Sequence, residues 1–152
     1  MTGMKARELG HVVLYVRDIE RSLRFYRDLL GFREVGRVFD GRAAVLTAGR
    51  THHEILLIEV GPDAAPMPPH PRVGLYHVGV KVGDSLDELR AAYRELVEAG
   101  VRIVGASDHT VSQSLYVLDP DGHEVEVYVD ADPSIWRDDP GAVLAPIKPL
   151  QL

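Results

Sequence analysis

The sequence predicts an α+β fold: two tandem βαβββ modules forming a cupped, partly open mixed sheet. Three observations predict it. A strand opened by histidine and followed by an amphipathic helix occurs twice. Each helix closes on a glycine, at Gly31 and Gly100, and each is followed by three strand-like runs. Self-similarity of this kind marks a duplicated supersecondary unit.

The first module spans residues 9–60 and opens with the strand 11–16 (HVVLYV). The spacing predicts a helix over 19–30, with Asp18 as N-cap and Ile19, Leu23, Tyr26 and Leu30 on its apolar stripe. Glu20, Arg21, Arg24 and Arg27 face water, and Gly31 ends the helix in the left-handed conformation. Strands are predicted at 33–39, 43–48 and 54–60, with a hairpin turn at Asp40 and Gly41.

Residues 61–74 form the linker, where five of the ten prolines crowd together without helical or strand periodicity. The pattern restarts in the second module, 75–130. Its strand 77–82 leads to a helix over 86–99, opened by a capping box of Ser85 and Glu88. The predicted stripe is Leu86, Leu89, Tyr93, Leu96 and Val97. Strands at 102–105, 114–118 and 124–129 follow, the last two joined by the turn sequence DPDG at 119–122. Residues 131–152 are expected to be an irregular tail packed on the body by Trp136 and Leu150.

Composition bounds the chemistry. With 152 residues, 45% hydrophobic and 26% charged, the chain has the makeup of one ordinary globular domain. A net charge of -6 argues against nucleic acid as a partner. No run reaches membrane-spanning length, and residues 1–10 lack a signal-like apolar stretch, so the expectation is a cytoplasmic protein. Without cysteine, any metal must rest on His, Asp, Glu or water.

Alternation along the strands sets the direction of the polar side chains. Val12, Leu14 and Val16 share one face and His11, Val13 and Tyr15 the other; Val78, Val80 and Val82 likewise oppose His77, Gly79 and Lys81. In the closing strand Val125, Val127 and Val129 turn to the helix, leaving Glu124, Glu126 and Tyr128 on the opposite side. Two imidazoles and at least one carboxylate are thus aimed at one concave surface. Two His and one carboxylate with open positions suit Fe(II), and also admit Mn(II), Zn(II) or Ni(II).

Three segments, "HVVLYVRDIERSLRFYRDLLGF", "LYHVGVKV" and "DPDGHEVEVY", resemble the vicinal-oxygen-chelate superfamily. That group includes glyoxalase I, extradiol ring-cleaving dioxygenases, and fosfomycin- and bleomycin-resistance proteins. The resemblance implies metal ligands at His11, His77 and Glu126, with Glu124 as the other carboxylate to consider. A fourth, glyoxalase-type ligand would fall at Leu57, or at Glu54 in a shifted register.

Three further points resemble extradiol dioxygenases. His53, or its neighbour His52, matches their strand histidine. The segment "HTVSQSLYVLDPDGH" gives His109 and Tyr116 the places of the substrate-contacting histidine and tyrosine, and the tail ending in "KPLQL" is similar. The resemblance therefore implies a metal-dependent dioxygenase, Fe(II) foremost, cleaving a catechol-like aromatic with O2. In it His53 is the acid/base, Tyr116 a hydrogen-bond donor to the substrate, and His109 a stabiliser of developing charge. The alternatives are a glyoxalase- or epimerase-type enzyme with Ni, Co or Zn and Glu54 as ligand, and a non-catalytic protein that binds a small antibiotic. A homodimer is expected, because two-fold dimers are the commonest oligomers.

Overall fold

In the computed structural model, which describes residues 3–152, the chain groups into two compact units. One ends at Pro66 and the other runs from Met67 to Leu152, so the boundary falls in the proline-rich linker.

The first unit opens with β1 (Val12–Val16) and α1 (Ile19–Leu23). Asp18 stops the strand and starts the helix, its Oδ1 accepting the Arg21 backbone N–H at 2.7 Å. The expected helix over 19–30 is not uniform. From Arg24 to Leu29 it widens into a π-helical turn, in which the Leu30 N–H reaches back to the Phe25 carbonyl at 2.9 Å. The wider turn brings Phe25 inward beside Tyr26; both are buried, with ring centroids 4.9 Å apart and nearly perpendicular.

Strands β2 (Arg33–Val38), β3 (Ala43–Thr47) and β4 (Ile55–Glu59) complete a sheet in the order β1-β4-β3-β2. β1 and β4 are parallel and the remaining pairs antiparallel. Leu14, Leu23, Leu46 and Leu57 fill its core, and burying each contributes about 1.5–3 kcal/mol.

The second unit repeats the scheme. Strands β5 (His77–Gly83), β6 (Ile103–Asp108), β7 (Ser112–Leu118) and β8 (Glu124–Asp130) pack with α2 (Leu86–Glu98). The capping box forms: Ser85 Oγ accepts the Glu88 N–H at 3.3 Å and donates to Glu88 Oε2 at 2.8 Å. Leu89 and Leu96 are buried as predicted, but Val97 is 51% exposed and does not belong to the stripe. Its place one residue past Leu96 turns it off the apolar face. The DPDG turn closes with Gly122 N–H on the Asp119 carbonyl at 3.1 Å.

The tail is more regular than expected. It forms α3 (Ser134–Asp138), a 3-10 turn (Pro140–Leu144) and β9 (Lys148–Pro149). Trp136 is not an anchor: it is 45% exposed, with the Arg137 guanidinium 5.4 Å from its ring centroid. Backbone pairing holds the tail instead, β9 lying antiparallel to β6 and completing the order β5-β8-β7-β6-β9.

Candidate metal and substrate site

Strand register assembles the polar face of the second unit. Across β5 and β8, His77 pairs with Glu124 and Gly79 with Glu126. Across β8 and β7, Glu126 pairs with Tyr116 and Tyr128 with Ser114; across β7 and β6, Tyr116 pairs with Gly105. Val125, Val127 and Val129 are fully buried on the reverse side, so the alternation read from the sequence holds.

His77 lies between two carboxylates. Its Nδ1 is 3.1 Å from Glu124 Oε2 and its Nε2 is 3.2 Å from Glu126 Oε2. The two carboxylates flank the ring, one at each nitrogen. A carboxylate against Nδ1 is the support that metal-ligating histidines usually have, and it would leave Nε2, which faces Glu126, as the ligating nitrogen once an ion is bound. Two atoms bound to one cation at about 2.1 Å and at right angles stand about 3 Å apart. The Nε2 to Oε2 spacing therefore fits a shared divalent ion.

The second oxygen of Glu126 is also held. Ser114, fully buried, donates to Oε1 at 2.6 Å; the Tyr116 hydroxyl lies 3.5 Å and His109 Nε2 3.9 Å from the same atom. His109 Nε2 is 2.6 Å from the Tyr116 hydroxyl, and the His77 and Tyr116 ring centroids are 5.5 Å apart. Burial, reinforced by the Glu126 charge, pushes the Tyr116 phenol above its usual range, so it stays protonated and able to donate. His109 is aimed by a tight turn: Thr110 adopts φ 71°, and its N–H is accepted by Asp108 Oδ1 at 2.8 Å.

Just before β8, the buried Asp119 accepts the N–H groups of Asp121 and His123 at 2.9 and 2.8 Å, and its other oxygen lies 2.8 Å from His123 Nδ1. Burial alone would lower the His123 pKa, but the Asp119 carboxylate outweighs it and the net shift is upward.

In the first unit His11 immediately precedes β1, and its ring centroid is 4.4 Å from that of His53. His52 is exposed, and its Nδ1 lies 2.5 Å from Nδ1 of His53. Of the two neighbouring histidines, His53 is thus the one packed on His11. Burial and the nearby His11 and His52 lower the His53 pKa, which keeps its imidazole neutral.

Neither register supplies a fourth, glyoxalase-type ligand with an uncommitted donor on this face. Leu57 pairs with Leu14 and is fully buried against the helix side, so it faces away from His11; Leu56 and Ile58 occupy the other face. Glu54 is committed to its own loop. Its Oε2 accepts the Ala48 N–H at 3.0 Å, and its Oε1 accepts those of Arg50 and Thr51 at 3.0 and 3.3 Å. Arg50 in turn donates to the carbonyls of Leu9 and Gly10 at 3.2 and 2.7 Å, tying this loop to the segment ahead of His11.

Among the described residues no three His, Asp or Glu side chains are gathered into a group that could hold a metal ion. The predicted ligands are distributed, His11 in the first unit and His77 and Glu126 in the second.

A model of the glyoxalase/bleomycin resistance protein/dioxygenase superfamily matches residues 8–127. The chain belongs to that superfamily. One superfamily relative, a catechol-2,3-dioxygenase from Bacillus subtilis (strain 168), is 38% identical over 131 residues, covering 86% of this chain and 44% of that protein. An iron-dependent extradiol dioxygenase from Rhodococcus jostii (strain RHA1) is 34% identical over 134 residues, 78% of this chain and 41% of the relative. The chain thus spans less than half the length of these two relatives. Other matches are named as biphenyl-2,3-diol 1,2-dioxygenases and a glutathione transferase, so the superfamily relatives include dioxygenases and transferases. The solved glyoxalase/dioxygenase from Nostoc punctiforme superimposes with a TM-score of 0.70 over 87% of this chain and 99% of that one, at 21% identity, and shows the shared fold.

Proposed function

We propose that the protein is an extradiol-type dioxygenase, cleaving a catechol-like aromatic with vicinal hydroxyls by means of O2. The observation that carries this reading is the 3.2 Å approach of His77 Nε2 and Glu126 Oε2 beside the Tyr116 hydroxyl. The likeness to a catechol-2,3-dioxygenase supports it. In this reading His11, His77 and Glu126 hold Fe(II), with Mn(II), Ni(II) or Zn(II) as other occupants the donors accept. Fe(II), when bound, supplies the redox chemistry that couples the aromatic ring to O2 within one coordination sphere.

The chain's own residues handle orientation and protons. Neutral His53 takes a proton from a substrate hydroxyl, since its lowered pKa leaves it unprotonated at neutral pH. Tyr116 donates to a substrate oxygen, and its raised pKa keeps the hydrogen in place. His109, 2.6 Å from that hydroxyl, holds the phenol in position and stabilises charge developing on the substrate. Glu124 keeps Nε2 of His77 free by accepting from Nδ1–H. In this reading the protein acts on small molecules in the cytoplasm as a homodimer, two-fold dimers being the commonest oligomers. Among the described residues no helix is long and apolar enough to cross a membrane.

The test is anaerobic loading with Fe(II), addition of a catechol panel, then air. A yellow ring-opened product is expected with at least one catechol. Stoichiometric Fe(II) binding with no O2 uptake across the panel overturns the proposal. The isomerase alternative, with Glu54 as fourth ligand, is opposed by the three backbone bonds that already occupy that carboxylate.

A further inference from the structure

We infer that Ser114 is a positioning residue for the metal centre, pinning one oxygen of Glu126 so that the other is presented to the ion shared with His77. The inference rests on the metal-site reading above and extends it to a side chain that is not itself one of the proposed ligands.

The geometry is specific. A glutamate carboxylate at the end of a flexible side chain can rotate, and can bind an ion through one oxygen or both. Here the Ser114 hydroxyl takes Oε1 at 2.6 Å, a short charge-assisted bond, while Oε2 stands 3.2 Å from His77 Nε2. Ser114 is fully buried on β7, beside Tyr128 of β8 and two residues before Tyr116, so its own position is fixed by the sheet. A hydroxyl held by a strand interior is a rigid donor. The two supports are complementary: Glu124 fixes the imidazole and Ser114 fixes the carboxylate, so both ligands of this unit are aimed before any ion arrives.

Deleting the hydroxyl frees Glu126 to rotate or to bind through both oxygens. The predicted loss is in metal affinity, about 10–100-fold, the usual effect of removing such a support. The probe is Co(II), titrated against a competing chelator into wild-type, Ser114→Ala and Ser114→Thr proteins. Visible absorption and the melting temperature of the metal-free proteins are recorded alongside.

The expected result has three parts. Ser114→Ala binds Co(II) about 10–100-fold more weakly with an altered visible spectrum, its metal-free melting stays close to wild type, and Ser114→Thr, which keeps a hydroxyl, recovers most of the affinity. Unchanged affinity and spectrum in Ser114→Ala overturn the inference while leaving the metal-site reading intact. A loss of affinity accompanied by collapse of metal-free melting also overturns it, because the role is then packing. Failure of the wild-type protein to bind Co(II) overturns the metal-site reading itself.

Discussion

Replacing Glu54 by Gln separates two roles for one carboxylate, because the change preserves shape and removes charge. As a loop organiser Glu54 receives three backbone N–H groups, at 3.0, 3.0 and 3.3 Å. In Glu54→Gln one oxygen remains an acceptor, but the other becomes an NH2 group facing a donor. One bond is lost and the rest fall from charge-assisted to neutral. A charged-group bond contributes about 1.5–3 kcal/mol and a neutral one about 0.5–1.5. The backbone at Ala48 and Arg50 is exposed, so water recovers part of the difference. The net loss is about 1–3 kcal/mol, a fall of roughly 3–10 °C in melting temperature for a chain of this size.

The pH dependence adds a sign. Burial pushes the Glu54 pKa up, but the Thr47 hydroxyl and the three backbone donors outweigh it and set it below the ordinary carboxylate value. A lowered folded-state pKa contributes stability above the unfolded value of about 4.3, lost as pH falls through the folded value. Wild type and Glu54→Gln should therefore differ at pH 7 and converge in acid, in thermal or urea unfolding of the metal-free protein. Unaltered stability together with abolished metal binding would refute the loop role and restore Glu54 as a ligand.

Tyr116→Phe, lacking the hydroxyl beside His109 and Glu126, should lower kcat/KM for catechol about 10–100-fold while Co(II) affinity holds; steady-state O2 uptake and metal titration check this. Glu124→Gln should weaken metal binding about 10–100-fold by loosening the His77 imidazole, read by chelator competition. The His123–Asp119 pair has a raised histidine pKa, so its stabilisation is complete below about 6.5 and disappears as pH rises through the raised folded value. Urea midpoints of wild type and His123→Gln should accordingly differ most at mildly acidic pH and converge in the alkaline range. Parallel curves at all pH values would remove the pair from the stability account.

Much of this was legible because the signals were periodic or local. Two-residue alternation placed Val125, Val127 and Val129 in the core and turned Glu124 and Glu126 outward, and caps at Asp18 and Ser85 marked both helix starts. What the sequence concealed depended on contacts between distant residues or on backbone geometry. The π-helical turn leaves the apolar spacing of 19–30 intact, so nothing in the residue pattern announces it. The resemblance to glyoxalase leaves the register of 54–60 open between Leu57 and Glu54 because that strand is apolar at most positions; the pairing with Leu14 fixes which face Leu57 takes. The role of Glu54 lies in three backbone N–H groups, which carry no residue signature. Ser114 left a weak trace, a small polar residue sharing strand parity with Tyr116.

The short β9 has a practical corollary. Its outermost residues are Lys148 and Pro149, a charge and a residue with no amide hydrogen, and both discourage a further strand from docking. Cutting the chain before Lys148 would bare the β6 backbone at Ser107 and Asp108 now paired with it, and invite edge-to-edge aggregation. Affinity tags and truncations for crystallisation are therefore safer when they leave these last residues in place.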